Sequence, residues 1–305
     1  NEIVDAKLLA GSSGYDIIVP TGNFLERQAK AGLLLPLDKA QLPNLANLDP
    51  AVMAVAAKHD PDNAHSVPYM TFTIGLGYNV AKVAEALGPD TPVDSWDLLF
   101  KPETSAKLAG CGIAVLDSPT EVLGTAMNYL GLDPHSESEE DLATAEALLT
   151  AVKPNIRYFH SSQYIDDLGN GEICLALGDS GDVFIAADAA AEAAAGVEVG
   201  YTIPTEGAAT LMDLLAIPAD APHPENALKF INYIMEPEVI AAITNYVFYA
   251  NPNLAATEFV DPEVKDNPGI YPPAETVAKA FALTAHSPDF EEVLTRTWTR
   301  IKTGQ

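Results

Sequence analysis

The stretch 172-EICLALGDSGDVFIAADAAAE-192 decides the fold class, because it joins an apolar strand to an alanine-rich helix through a short polar loop. Residues 172–178 form the short apolar run that is typical of a buried strand. A buried strand that leads directly into a helix is typical of α/β proteins. In open α/β sheets, ligands bind beyond the carboxyl ends of the strands, so Asp179 and Asp182 lie where side chains meet solutes. The alternative is that one of these two acids only caps the helix.

The rest of the chain continues this alternation. Further strands are predicted at 15–20, 66–70, 74–79, 112–116, 156–160, 197–204 and 210–218. Helices are predicted at 23–32, 119–130, 138–153, 181–196, 224–236 and 286–302, and the chain opens in a helical pattern. This order predicts an α/β fold with parallel or mixed sheets and helices on both faces. Because no leader sequence precedes the opening helix, we expect a mature chain from which a signal peptide has been removed.

The composition limits the partners and cofactors. Asp and Glu number 43 against 16 Lys and Arg, which gives a net charge of −27 and disfavours nucleic acid and anionic membranes as partners. No apolar run reaches the ~18 residues of a membrane span, so no membrane insertion is expected. The two cysteines cannot form a paired CxxC site, the histidines are scattered, and no phosphate-binding loop occurs, so we expect no metal and no cofactor. Spacing alone leaves open whether Cys111 and Cys174 are free thiols or a disulfide.

One short motif suggests an enzyme. Residues 178-GDSG-181 match the nucleophile segment of trypsin-like proteases, and 284-TAH-286 matches their histidine segment. In those enzymes the histidine precedes the serine on antiparallel barrels, whereas here it follows Ser180 in an α/β pattern. We therefore interpret GDSG as a chance match. An acid–base enzyme that uses Glu121 with an Asp is the alternative from a different functional class.

Five segments together resemble the periplasmic polyamine-binding proteins of ABC importers, the putrescine-binding branch in particular. They are 9-LAGSSGYDIIVP-20, 58-KHDPDNAHSVPYM-70, 94-DSWDLLF-100, 154-PNIRYFHSSQYIDDLGNGEICLALG-178 and 268-PGIYPP-273. The resemblance implies a two-lobed, type II solute-binding fold, with a ligand cleft between lobes that close about a hinge. It also implies a periplasmic binding protein without enzymatic activity, with a small cationic polyamine as ligand and an ABC transporter permease as partner. We further expect a monomer.

The resemblance assigns residues to the ligand site. Glu121, Asp182 and Asp213 are given as carboxylates that face ammonium groups, and Ser161, Thr21 and Tyr249 as polar or aromatic pocket residues. A diamine has cationic ends and an apolar middle, so carboxylates neutralise its ends while aromatic faces cover its methylene groups. Asp213 is also conspicuous without the family, because it interrupts the apolar run 211-LMDLLAI-217.

Three positions depart from the family pattern. Asp179 and Thr71 each stand where the family usually has tryptophan, and Leu211 stands where putrescine binders have an aromatic residue. A fourth acid favours a ligand with an extra amine or a guanidinium, such as spermidine or agmatine. Because the assigned pocket has fewer aromatic residues than the family pattern, another amine or an amino acid is an alternative ligand. An anionic ligand is disfavoured, because the assigned pocket holds no Lys or Arg.

The resemblance also implies how the chain is divided. One lobe is expected from 1–70 plus 204–250, and the other from 71–203 plus 251–305. The family begins with a strand and a tryptophan-serine-aspartate-tyrosine segment that contributes to the pocket, and this chain starts downstream of it. Cysteines at matching family positions imply a disulfide between Cys111 and Cys174.

Overall fold

The computed structural model describes residues 1–194 and 196–304, which contain fifteen α-helices and seven strands. The helices are α1 (Glu2–Ala10), α2 (Gly22–Lys30), α3 (Pro50–Ala56), α4 (Val80–Leu87), α5 (Asp97–Phe100), α6 (Pro102–Leu108), α7 (Pro119–Tyr129), α8 (Glu139–Val152), α9 (Gln163–Gly169), α10 (Ser180–Ala193), α11 (Pro224–Ile234), α12 (Pro237–Val247), α13 (Pro262–Lys265), α14 (Ala274–Val277) and α15 (Pro288–Thr303). The strands are β1 (Ser66–Asn79), β2 (Ile113–Val115), β3 (Tyr158–Phe159), β4 (Leu175–Asp179), β5 (Val199–Thr202), β6 (Ala209–Ala216) and β7 (Phe281–Ala282).

The chain forms two compact units, each built from two separate stretches. Unit one comprises Asn1–Phe72 and Leu211–Asn267, and unit two comprises Thr73–Thr210 and Pro268–Gln305. Compared with the expected lobe boundaries, residues 204–210 lie in unit two, residues 251–267 lie in unit one, and Thr71 and Phe72 also lie in unit one. The second difference has a local cause, because Asn253 pairs with Leu48 across an isolated bridge and its side-chain amide donates to the carbonyl oxygen of Met235 at 2.7 Å.

Unit one is held by an apolar core between its helices and the end of β6. Buried side chains of this core come from α1, α2, α3, β6 and the segments between them: Leu8, Ile18, Leu25, Leu34, Ala56, Met212, Leu214 and Ala216. The expected strand at 15–20 is wrong as a continuous strand, because Ile18 and Thr21 form only isolated bridges with β6. The helix expected from residue 23 begins one residue earlier, since α2 starts at Gly22 with Thr21 in the N-cap position.

Unit two contains a mixed sheet whose parallel part positions the candidate residues. The second half of β1 pairs antiparallel with both β4 and β5, and β2 pairs parallel with both β3 and β4. Val115 of β2 lies opposite Phe159 of β3 and Leu177 of β4, so the carboxyl ends of these three strands meet at one edge. The strands expected at 66–70 and 74–79 are a single strand, and the boundary between the units falls within it.

A disulfide joins Cys111 to Cys174, whose Cα atoms lie 5.4 Å apart, and it confirms the expected pairing. It connects the turn after α6 to the residue before β4. The backbone N–H of Cys174 also donates to the carbonyl oxygen of Gly112 at 2.9 Å. The native contact between the two segments is therefore held by backbone pairing as well as by the covalent bond.

The last helix, α15, begins two residues later than the sequence pattern indicates. It was expected from residue 286 and begins at Pro288 instead, because the Ser287 side chain caps its first turn. Within the described ranges, neither α15 nor any other helix is long and apolar enough to cross a membrane. In the same part of the chain, no group of three or more His, Cys, Asp or Glu side chains is arranged to hold a metal ion.

Candidate ligand-binding residues

In unit two, four of the predicted site residues follow the carboxyl ends of the parallel strands. Glu121 lies in the first turn of α7, after β2, and Ser161 lies just beyond β3. Asp179 ends β4, and Asp182 lies in the first turn of α10. Because the three strand ends meet at one edge, these four residues lie at the same carboxyl-terminal edge of the sheet in unit two. This is the edge at which open α/β sheets bind ligands.

A buried tyrosine, Tyr164, links the two aspartates of the GDSGD loop, which comprises residues 178–182. The backbone N–H of Asp179 donates to Tyr164 Oη at 3.0 Å, and Tyr164 Oη donates to Asp182 Oδ2 at 2.9 Å. The Tyr164 side chain is 0% exposed. Burial, together with the negative charges of Asp179 and Asp182, holds the pKa of Tyr164 well above its ordinary value. The hydroxyl therefore stays protonated and acts as a donor to the carboxylate.

Asp179 occupies the N-cap position of α10, but its side chain accepts no capping hydrogen bond from the helix. The alternative in which Asp179 caps the helix through its carboxylate is thus not what the structure shows. Burial is the main reason that the pKa of Tyr201 is raised, and the charge of Asp179 raises it further. The negative charge of Asp179 therefore raises the pKa of two tyrosines, Tyr164 and Tyr201.

Ser161 is engaged in the local structure of the strand ends. Its hydroxyl oxygen accepts the backbone N–H of Asp117 at 3.1 Å, and its side chain is exposed. The carboxylate of Asp117 accepts from Trp298 Nε1 at 2.8 Å and from Lys302 Nζ at 2.7 Å. This acid at the same edge is therefore paired with two side chains of α15.

In unit one, Thr21 and Asp213 are brought opposite each other by an antiparallel bridge. Thr21 is buried, and its hydroxyl donates to Asn23 Oδ1 at 2.7 Å. Asp213 is half-buried between the buried residues Met212 and Leu214. The pKa of Tyr69 is raised by burial first and by the charge of Asp213 second, so Tyr69 lies within electrostatic reach of that carboxylate.

The other two predicted residues of unit one are apolar or aromatic. Leu211 is only 5% exposed. The ring of Tyr249 packs edge-on against Phe72, with centroids 5.1 Å apart. Backbone hydrogen bonds between Thr71 and Ala250 hold the two segments together, which places Phe72 beside Tyr249.

Four aromatic neighbours of the site were not predicted from the sequence: Tyr69, Phe72, Tyr164 and Tyr201. The aromatic residues in 68-PYMTF-72, at an expected lobe crossing, were the available signal for the first two.

The protease alternative gains no support from the geometry. Ser180 is 2% exposed and accepts the backbone N–H of Thr73, while His286 lies against Glu137 and Phe290. In the described ranges, no hydrogen bond joins Ser180 to a histidine.

Comparison with known proteins shows the family. Residues 2–272 match the family of bacterial extracellular solute-binding proteins. The chain is 52% identical over 306 residues to the putrescine-binding periplasmic protein PotF of Escherichia coli (strain K12), covering 100% of this chain and 83% of that protein. It is 48% identical over 305 residues to the putrescine-binding periplasmic protein SpuD of Pseudomonas aeruginosa (strain UCBPP-PA14), with the same coverage of 100% and 83%.

A solved structure agrees with these relatives. The spermidine/putrescine ABC transporter substrate-binding protein PotD of Streptococcus pneumoniae superposes with a TM-score of 0.80 at 25% identity, covering 99% of this chain and 88% of that chain. The comparisons confirm the predicted resemblance, the two-lobed solute-binding fold and the periplasmic location. They also confirm that this is a binding protein and not an enzyme. The chain belongs to the family of bacterial extracellular solute-binding proteins.

Proposed function

We propose that this protein captures a small aliphatic polyamine and delivers it to the permease of an ABC importer. The observation that supports this most is the set of carboxylates Glu121, Asp179 and Asp182 at one edge of the unit two sheet, with Asp213 as the acid of unit one. Two relatives that match the whole chain are named for putrescine binding. A polyamine is the ligand class whose charge complements these acids.

The proposed ligand contacts follow from the chemistry of a diamine. Each buried ammonium group needs at least one carboxylate, because a desolvated charge without a partner costs several kcal/mol. We assign Asp182, Asp179 and Glu121 in unit two and Asp213 in unit one to the ammonium groups. The proposed polar and apolar contacts are Ser161, Thr21, Tyr249 and Leu211, to which the structure adds Tyr69 and Phe72 as neighbours.

Asp179 is the proposed determinant of ligand preference. It adds an acid next to Asp182, and its side chain is not used as a helix cap. A ligand that presents an extra amine or a planar guanidinium, such as spermidine or agmatine, matches an added carboxylate better than a simple diamine does. A different amine or an amino acid is the alternative ligand, and its test is the same panel of compounds.

A thermal-shift panel tests the proposal. The compounds are putrescine, cadaverine, spermidine, spermine, agmatine, γ-aminobutyrate and glycine betaine. A ligand at ~1,000 times its Kd stabilises the protein by ~4 kcal/mol, which for units of this size raises Tm by roughly 8–16 °C. We expect such a rise with at least one polyamine and little change with glycine betaine. No rise with any amine would refute the polyamine assignment.

We also propose that the protein acts as a monomer, as expected from the sequence. Light scattering after size-exclusion chromatography should give the mass of one chain with and without ligand. A mass of two chains at micromolar concentration would contradict this part of the proposal.

A further inference from the structure

We infer that Tyr164 is a positioning residue that orients the Asp182 carboxylate for the ligand cation. This inference rests on the proposed function, because Asp182 is a ligand residue only if the protein binds a polyamine. Its structural basis is the chain of two hydrogen bonds that runs from the backbone of Asp179 through Tyr164 Oη to Asp182 Oδ2.

The ring of Tyr164 has a fixed place. It is completely buried and packs on the backbone of β4 at Gly178, where an added Cβ would come within 2.5 Å of the ring. The ring belongs to α9, which packs closely on α10: an added Cβ at Gly169 would lie 3.2 Å from the carbonyl oxygen of Ala186. Because protein interiors are densely packed, the hydroxyl at the end of this rigid ring has little freedom to move.

The direction of the hydrogen bonds decides what the hydroxyl does. A tyrosine hydroxyl has a single hydrogen to donate, and the N–H of Asp179 can only donate. The hydroxyl therefore accepts from Asp179 and gives its own hydrogen to Asp182 Oδ2. The burial that raises the pKa of Tyr164 keeps this hydrogen in place over the whole physiological pH range.

The consequence is a carboxylate whose orientation is set before the ligand arrives. Asp182 lies in the first turn of α10 and is only half-buried, and the hydrogen bond from Tyr164 Oη favours one orientation of its carboxylate. Ordering a side chain on binding reduces affinity, and a preordered group avoids that loss. The same hydroxyl accepts the backbone N–H of Asp179, so it contacts both Asp179 and Asp182.

The test compares Tyr164→Phe with Tyr129→Phe. Tyr129 is a matched control, because its hydroxyl also donates to an aspartate, Asp97 Oδ1, at 2.8 Å in the same unit but outside the proposed site. We expect Tyr164→Phe to weaken putrescine binding roughly tenfold and Tyr129→Phe to leave the Kd unchanged. In the background of Asp182→Asn, Tyr164→Phe should have no further effect on Kd, since the two residues act as one unit. Equal affinity of Tyr164→Phe and wild type, or additive losses, would overturn the inference.

A second measurement does not depend on any ligand. The side-chain carboxyl of Asp182 is titrated by carbon NMR in wild type and in Tyr164→Phe, with Asp179 retained as the neighbouring acid in both. Loss of a donor to the ionised form favours protonation, so the titration midpoint should rise by roughly half a unit or more. If wild type binds no amine, the proposed function fails, and this titration alone decides the positioning role. An unchanged midpoint would overturn that role in either case.

Gly178→Ala provides a further variant if Tyr164→Phe folds poorly. It keeps the hydroxyl but forces the ring away from β4. The same rise in the Asp182 midpoint is expected, and a wild-type midpoint in a folded Gly178→Ala protein would contradict the inference.

Discussion

Removing the disulfide should destabilise unit two through its unfolded state. The bond between Cys111 and Cys174 spans 63 residues, and the loop-closure relation for this length gives roughly 14 cal/mol/K, or about 4 kcal/mol at 25 °C. The native contact itself should survive, because the N–H of Cys174 still donates to the carbonyl oxygen of Gly112. The loss is therefore expected in the free energy of unfolding rather than in the native fold.

The variant Cys111→Ser/Cys174→Ala suits this test, since Cys174 is fully buried and alanine introduces no buried polar group. Both tryptophans of the chain, Trp96 and Trp298, lie in unit two and are buried, so urea unfolding followed by fluorescence reports on this unit. We expect a loss of about 4 kcal/mol and a Tm lower by roughly 8–16 °C.

Wild type in reducing buffer is the matched control and should unfold like the variant. A native circular dichroism spectrum with a loss below about 1 kcal/mol would refute the argument from chain entropy. Loss of the native spectrum would show instead that the bond is needed to form the contact at Gly112, which contradicts the role assigned to backbone pairing.

Three further predictions concern the site and its pH dependence. Asp182→Asn and Asp213→Asn should each weaken putrescine binding by about 2 kcal/mol, roughly 30-fold, in calorimetry, and near-native affinity of both would remove them from the site. Asp213→Asn should lower the pKa of Tyr69, measured by tyrosine-selective NMR. The pKa should stay above its ordinary value, because burial raises it more than the charge of Asp213 does. An unchanged pKa would contradict the proximity of Tyr69 to Asp213. Burial lowers the pKa of His59 in the folded protein. As pH falls through about 6.5, His59 therefore becomes protonated in the unfolded chain before it does in the folded protein, and the free energy of unfolding should decrease. Urea unfolding should show a shallower decrease for His59→Gln, and identical slopes would contradict this.

Local patterns predicted the elements that carry their own signal. The apolar run and the alanine-rich segment around the GDSGD loop became β4 and α10 within a few residues of their expected ends. The continuous strand β1 was not predictable, because Thr71 and Thr73 interrupt its apolar pattern. The segment 15–20 has the composition of a strand, but it pairs with β6 only at single residues, and pairing is decided by partners far away in the chain.

The candidate site was predictable in part for the same reason. Acids that directly follow strands can be placed at a sheet edge from their position in the chain alone, which is how Asp179 and Asp182 were found. The contact between Tyr164 and Asp182 joins residues 18 apart on different helices, and no spacing rule links them. The neighbours of Asp213 and Tyr249, which are Tyr69 and Phe72, likewise depend on tertiary packing.

Isothermal titration of the wild-type protein with putrescine, followed by spermidine and agmatine, tests the central claim most directly. Capture of a polyamine predicts a saturable isotherm for at least one of these ligands, weakened roughly 30-fold by Asp182→Asn. Heats that equal those of dilution for all three ligands would contradict the claim and leave the protein as a solute-binding protein for a different ligand.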